Sequence, residues 1–325
     1  MTRASRVTVT VPARLHFGFL DLNGGLGRRF GSIGLAIDAL CTRIDIAPAS
    51  DVAVTGADAE RARRYAEQLR ASLGIGGGYR LHVDEAVPIH AGLGSGTQMA
   101  LAIAAALRGL HGLPLDARGD AIRLGRGGRS GIGIGLFDAG GVVVDGGRGA
   151  STEAAPVVSR IAFPDEWRVV LVLDRARTGV HGDDESAAFA RLQPFPAADA
   201  AHICRVVLMQ ALPALAEHDL SGFAAAINDM QRLLGAYFAP LQGGHAFSSP
   251  AVAAALDLLE DAGALGRGQS SWGPTGFTFA RSAADAERLV EVARSHPRCR
   301  GLDIRACKGL NRGAEITCDG DRATT

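Results

Sequence analysis

The sequence predicts an α+β fold in two halves, and three observations carry that expectation. Strand-like segments open the chain and return near its end. Between them, about 90 residues after position 174 are mostly helical. A glycine-rich loop at residues 92–96 runs straight into an apolar helix. The halves are expected to divide at 1–155 and 156–325.

The elements follow in order. Residues 6–11, RVTVTV, are rich in β-branched residues and read as a strand. LHFGFLDL and SIGLAIDAL read as further strands on either side of the glycine-rich NGGLGRRFG, and TRIDIAP, 42–48, as another. Residues 57–74 form an amphipathic helix that stops at glycine. YRLHVDEAVP is a strand leading to the loop. Residues 97–111 are apolar over most of the helix surface, which predicts a buried helix. A second helix covers 116–125, and the glycine-dense GRGGRSGIGIGLFDAGGVVVDGG, 125–147, ends in a short strand. WRVVLVLD, 167–174, is a continuously apolar strand. Helices follow at 183–192, 198–217, 219–236 and 249–263. Strands GRGQSSW and GFTFARS, a helix at 282–295, and strands LDIRACK and AEITC complete the chain.

Composition narrows the possible partners. Of 325 residues, 47% are apolar, enough to bury the core of two domains or one large one. Basic and acidic side chains number 34 each, so the charge balance points to neither nucleic acid nor a membrane surface. Lys308 is the only lysine. Fixed cations in a site would therefore be arginines, whose planar guanidinium suits phosphate and carboxylate. The five cysteines form no CxxC pair and no zinc spacing, which predicts free thiols in a reducing cytoplasm. No signal-peptide core opens the chain, and no apolar run approaches the roughly 20 residues that span a bilayer. A cytosolic protein is expected.

The stretch VPIHAGLGSGTQ, 87–98, is the first chemical signal. Gly92, Gly94 and Gly96 let the backbone curl with positive φ and approach a ligand closely. Ser95 or Thr97 would cap the helix that follows. Its first turn presents unpaired N–H groups and about half a positive charge, which together favour an anion. The spelling excludes GxxxxGK[ST], GxGxxG and GxSxG, and so a Walker loop, a dinucleotide fold and a nucleophile elbow.

Pro88 four residues before Gly92-Leu93-Gly94-Ser95, followed by a buried helix, resembles the phosphate loop of the GHMP kinase superfamily. VPARLHFGFLDLNG and SSWGPTGFTF stand where two further motifs of that superfamily belong. The resemblance spans essentially the whole chain. It implies an N-terminal α+β domain related to one in a ribosomal protein and a ferredoxin-like C-terminal domain. Three departures argue against kinase chemistry. Gly133 stands where many of these kinases carry a catalytic aspartate, and glycine cannot accept a proton. Arg14 replaces a lysine. Ser270, Ser271, Trp272 and Pro274 interrupt a loop that is normally a run of glycines.

Two longer segments, RLHFGFLDLNGGLGRRFGSIGLAID and GRGGRSGIGIGLFDAGGVVVDGG, resemble the β-ribofuranosylaminobenzene 5'-phosphate synthase family of that superfamily. This resemblance implies condensation of phosphoribosyl diphosphate with 4-aminobenzoate or 4-hydroxybenzoate, with loss of CO2 and diphosphate, in tetrahydromethanopterin biosynthesis. It also implies Mg2+ as cofactor, no ATP, and a homodimer. An ATP-dependent small-molecule kinase is the competing reading.

The expected site draws on both motifs. Arg14 and His16 alternate on one strand and can face one side. Asp21 ends that segment, either to bind metal or ribose or simply to form a turn. Arg28 or Arg29 would clamp a carboxylate or diphosphate, with Ser32 and Asp38 as weaker candidates. Arg126, Arg129 and Ser130 surround the central glycines. Gly92 through Gln98 would hold phosphate. Arg177 and His181 would close the site from the second half, although the acids at 183–185 equally suit a helix N-terminus. Ser271 and Trp272 complete the set, the tryptophan stacking on an aromatic ring or lying in the core. No metal ligand is assigned.

Overall fold

In the computed structural model, residues 4–179 and 192–320 are described. Strand β1 (Ala4–Asp21) runs antiparallel to β2 (Phe30–Ala49) along nearly its whole length. Both were read as two strands each. β1 continues through Pro12 because the register shifts between Pro12 and Ala13, and again between His16 and Gly18. Such irregularities are where a strand accommodates a proline and re-aims its side chains.

The first half of β2 pairs with β5 (Val142–Asp145) and the second half with β4 (Gly78–Glu85). β3 (Val52–Gly56) lies parallel to β4, β6 (Val157–Ile161) pairs with β5, and the C-terminal β11 (Glu315–Gly320) pairs with β1. These strands make one seven-stranded sheet. Val7, Val9 and Val11 turn one face of β1 to helices α1 (Ala59–Leu73) and α2 (Ser95–Leu110). α2 is buried almost all round, as its alanine-rich sequence predicts. Gly109 lets it approach Val7. Helices α3 (Ala117–Arg123) and α4 (Ile132–Ala139) flank it.

The second sheet has four antiparallel strands in the order β10-β7-β9-β8: β7 (Arg168–Leu173), β8 (Leu265–Gln269), β9 (Thr275–Ala280) and β10 (Asp303–Cys307). Helices α8 (Pro250–Asp261) and α9 (Ala283–Ser295) cover one face. On the other lie α5 (Ala197–Val206), a π-helical segment Val207–Ala211, α6 (Leu212–Ala216) and α7 (Leu220–Phe238). The helix expected at 198–217 is thus broken by the π-helical segment. Phe17, Phe163, Phe223, Phe277 and Phe279 stack where the two sheets meet.

Three further differences from the sequence reading have physical causes. The cut expected between 155 and 156 does not match the sheets, because β6 and β11 both belong to the first. β3 is too short to register as a strand. α4 was hidden by its glycines, yet Ile132, Leu136 and Phe137 are buried and there is no room for a side chain at Gly133 or Gly135. Packing outweighs propensity there.

Candidate active site

The site forms where β1, α2, the 125–131 loop and the 270–273 turn converge. α2 starts at Ser95, two residues before the expected start, and its N-cap is Gly94 at φ 80°. Neither Ser95 nor Thr97 caps it. Instead the Ser95 hydroxyl accepts a hydrogen bond from Arg61 of α1 at 3.3 Å. The neighbouring glycines make room for cations. A Cβ on Gly94 would stand 2.5 Å from Cγ of Arg14, and one on Gly96 3.1 Å from a guanidinium nitrogen of Arg126. Gly96 itself is helical, so its small size matters more than its φ. Three guanidinium groups therefore surround the N-terminus of α2, the end that carries partial positive charge and free N–H groups. Arg126 is held over the ring of Tyr65, 5.2 Å from its centroid, and donates to the Tyr65 hydroxyl. Arg61 is paired with Asp58.

The loop before α2 is fixed by the second half of the chain. Ser270 Oγ donates to the carbonyl of Gly92 at 2.8 Å, Thr275 Oγ1 to that of Ala91 at 2.7 Å, and Gly179 N to that of His90 at 2.9 Å. A Cβ on Gly92 would collide with the Ser270 carbonyl at 2.1 Å, which requires glycine there. Leu93 is fully buried and its carbonyl accepts from Arg14 N at 3.1 Å. Gln98 is buried and donates to Pro12 O at 2.8 Å.

The central glycine loop is organised by a carboxylate that the sequence reading missed. Asp145, fully buried at the end of β5, accepts from Gly131 N and Gly147 N at 2.9 Å each and from the Ser32 hydroxyl. Ser130 Oγ lies 3.3 Å from it. Burial raises the pKa of this carboxyl, and these hydrogen bonds partly offset the rise.

Between these parts lies a cleft of about 470 Å³. Arg14, Arg126, Arg129 and Arg148 line it with His16 and Ser271, and among the described residues no carboxylate does. His16 is 2% exposed, and neither ring nitrogen has a hydrogen-bond partner. Burial first, and then the Arg14 guanidinium, push its pKa down to about 3, so the imidazole is neutral at physiological pH. Its backbone is tied to the 270–273 turn: N donates to Ser270 Oγ at 3.0 Å, and O accepts from Ser271 N at 3.3 Å. Ser271 is held at φ 56°, a conformation that costs energy outside glycine and clusters at functional sites. His16, Phe19 and Ser271 also line a second, smaller pocket of about 30 Å³, walled by Leu234, Phe238 and Trp272.

The described residues assign no ligands to Mg2+. Among the described residues there is no group of three or more His, Cys, Asp or Glu side chains that could hold a metal ion. Among the described residues, the charged groups lining the cleft are all arginines.

Comparison with known proteins places this geometry. Residues 60–145 match the model described as GHMP kinases N terminal domain, and residues 211–299 the model described as GHMP kinases C terminal. The β-ribofuranosylphenol 5'-phosphate synthase of Archaeoglobus fulgidus is 33% identical over 321 residues, covering 94% of this chain and 97% of that protein. The chain belongs to the β-ribofuranosylphenol 5'-phosphate synthase family of the GHMP kinase superfamily. The protein of the same name from Methanothermobacter thermautotrophicus is 30% identical over 292 residues, covering 83% of this chain and 87% of that one. A crystal structure of homoserine kinase from Cytophaga hutchinsonii has the same fold at 17% identity, with a TM-score of 0.69 over 96% of this chain and 98% of that one.

As a member of this synthase family, the chain brings most of its expected residues together. Arg14, His16, Thr97, Arg126, Arg129, Ser130 and Ser271 share the cleft, with Gly94, Ser95 and Gly96 at its helix end. Gly133 is buried behind the cleft wall. A Cβ there would stand 2.8 Å from Thr97 and 3.7 Å from Nε of Arg14, so the place of the kinase aspartate is closed by packing.

Four expected residues lie elsewhere. Asp21 Oδ1 accepts from Asn23 N and Gly24 N at 2.8 Å each, which makes it a turn former. Arg28 does not line the cleft, because its guanidinium donates to the carbonyls of Gly146 and Gly147 at 2.7 Å. Arg177 donates to Ser248 O at 2.9 Å and lines a neighbouring cavity of about 300 Å³ with Trp272. Trp272 packs edge-on against Phe238, at 4.9 Å between centroids, and reaches the small pocket but not the cleft. His181 lies outside the described residues.

Sequence reasoning missed Arg61, Tyr65, Asp145 and Arg148. Arg61 and Tyr65 are four apart and so share a face of α1, a signal hidden among the other arginines of that helix. Asp145 was visible only as an acid ending an apolar strand.

Proposed function

We propose that this protein condenses phosphoribosyl diphosphate with 4-hydroxybenzoate, giving a β-C-riboside 5'-phosphate, CO2 and diphosphate. The observation that carries the proposal is the cleft itself: four arginines beside a helix N-terminus, no carboxylate among the described residues that line it, and glycine at the position of the kinase acid. A kinase active site needs a group to steer or deprotonate its acceptor. This cleft instead suits a polyanion that departs. The phenol in the relatives' name favours a hydroxyl over an amino group on the ring.

The chemistry needs little from the protein beyond placement. The bond between the anomeric carbon and the diphosphate oxygen breaks, and its electron pair leaves with diphosphate. The ring carbon that bears the carboxylate, made electron-rich by the para hydroxyl, supplies the pair for the new C–C bond. The bond to the carboxylate then breaks, its pair restores the aromatic ring, and CO2 leaves. No protein nucleophile is consumed.

Arg14, Arg61 and Arg126 with the α2 N-terminus hold one phosphate group, and Arg129 and Arg148 face the rest of the donor. Charge-assisted contacts of this kind strengthen as negative charge builds on the leaving group. Neutral His16 faces the reacting carbon without adding a competing positive charge. Its burial excludes water from the oxocarbenium-like centre.

Identification of the product tests the proposal. Purified protein incubated with both substrates in magnesium-containing buffer is expected to yield a compound with a carbon–carbon glycosidic bond, visible by NMR as a loss of the carboxyl carbon and a new C–C coupling. Recovery of unchanged 4-hydroxybenzoate, with ATP consumed on an alcohol acceptor instead, would refute it and favour the kinase reading.

A further inference from the structure

The small pocket behind His16 has a chemical polarity of its own. Three glutamines form a chain along one wall, and the last of them, Gln242, also lines the neighbouring cavity. Gln231 Oε1 accepts from Gln269 N at 2.9 Å, and Gln269 Nε2 donates to Gln242 Oε1 at 2.8 Å. Backbone partners fix which way each amide points. Ser248 N donates to Gln269 Oε1 at 2.6 Å, so that amide's nitrogen must face the other way, towards Gln242 and the carbonyl of Ser271 at 3.0 Å. Gln242 Nε2 donates to the carbonyls of His245 and Ala246 at 3.2 and 3.0 Å. Gln231 Nε2 donates to those of Phe17 and Gln269.

Each of the three amide nitrogens thus makes two hydrogen bonds and has no N–H left to give. Each carbonyl oxygen accepts one bond and has a second lone pair. The three glutamine amides can therefore accept further hydrogen bonds but not donate them. The opposite wall is apolar at Leu234 and Phe238, with His16 and Ser271 at the side shared with the cleft, and the space, about 30 Å³, suits a single substituent rather than a whole ring.

Its mouth adjoins the arginine cleft, because His16, Phe19 and Ser271 line both. Two constraints then orient an aromatic acid placed there. The carbon bearing the carboxylate must meet the sugar, whose phosphates belong with the arginines. The opposite, para end is left to enter the small pocket, passing alongside the His16–Phe19 pair, whose rings touch edge to face at 4.7 Å between centroids.

We propose that this pocket selects the acceptor by its para substituent, taking one that donates a hydrogen bond to Gln242 Oε1, and that Gln242 is therefore a specificity-determining residue. The proposal rests on the ribosyl-transfer reading for the orientation of the ring, but its test is a binding measurement that does not require turnover. Accepting this proton also makes the substituent a better electron donor, which favours attack by the carbon opposite.

The experiment compares direct binding of 4-hydroxybenzoate and 4-fluorobenzoate to the full chain by calorimetry, with inorganic diphosphate present to occupy the arginine cleft. Fluorine matches the hydroxyl in size and lacks its proton. We expect the fluoro acid to bind about tenfold more weakly, the effect of leaving one buried acceptor unmet. Gln242→Met is expected to weaken 4-hydroxybenzoate about tenfold and leave 4-fluorobenzoate unchanged. Gln242→Glu, which keeps an acceptor, is expected to restore the preference. Equal binding of the two acids to the parent protein, no binding of either, or equal weakening of both by Gln242→Met would overturn the proposal. Normal discrimination in binding without any diphosphate or CO2 release from the true substrates would instead refute the ribosyl-transfer reading and leave the pocket's selectivity standing.

Discussion

Replacing Gly94 by alanine tests the anion site at its tightest point. The residue sits at φ 80°, where a side chain costs about 1–2 kcal/mol. Its new Cβ would fall 2.5 Å from Cγ and 2.6 Å from Nε of Arg14, so the arginine must swing away. Losing one hydrogen bond to a charged group costs about 1.5–3 kcal/mol, which corresponds to roughly a 10- to 100-fold rise in the KM for phosphoribosyl diphosphate. The KM for the aromatic acid is expected to stay within about threefold. Diphosphate release measured against donor concentration gives both values. A thermal melt separates the expected small loss of stability from global unfolding. A folded Gly94→Ala protein with parental donor kinetics would remove both the α2 N-terminus and Arg14 from donor binding.

Four further outcomes are expected. Arg28→Ala should leave the donor KM within about twofold, because that guanidinium is engaged with the carbonyls of Gly146 and Gly147; a large rise would return it to the site. Asp145→Ala should lower stability in urea by about 2–4 kcal/mol, since it strands the buried N–H groups of Gly131 and Gly147. Asp120→Ala should cost about 3–5 kcal/mol by leaving buried Arg108 without its closest partner. For His16 the folded pKa of about 3 lies below the ordinary 6.5, so the unfolded chain takes up the proton first as pH falls. Its contribution to stability is therefore complete above about pH 6.5 and is lost between 6.5 and 3, by at most about 1.4 kcal/mol per pH unit. His16→Gln should flatten the parental stability loss in that window, and urea midpoints between pH 7 and 5 measure it.

The features legible in the sequence were those written in local chemistry. β-branched alternation marked β1, β2 and β4, and the unbroken apolar run marked α2. The glycines at 92, 94 and 96 marked the anion loop, and the missing acid at 133 was visible by its spelling alone. What stayed hidden depended on contacts between distant residues. α4 forms because Thr97, Val143 and Val157 press against its glycines, and nothing within residues 132–139 reports that. Arg28 and Arg129 look equivalent in sequence, since both follow or flank glycines, yet one reaches carbonyls across the 146–147 turn and the other lines the cleft. Arg61 joins the site because α1 packs beside α2, and Asp145 because β5 ends beneath the 130–131 turn. The small pocket depends on α7 and β8 meeting β1 through Gln231, a junction more than 200 residues apart in the chain.

The central claim is that this scaffold releases a leaving diphosphate and CO2 rather than transferring a phosphate from ATP. The most direct measurement follows carboxyl-labelled 4-hydroxybenzoate with phosphoribosyl diphosphate and counts labelled CO2 and diphosphate together. The account predicts equal amounts of the two, with no change on adding ATP. Diphosphate without CO2, or turnover that depends on ATP, would contradict it.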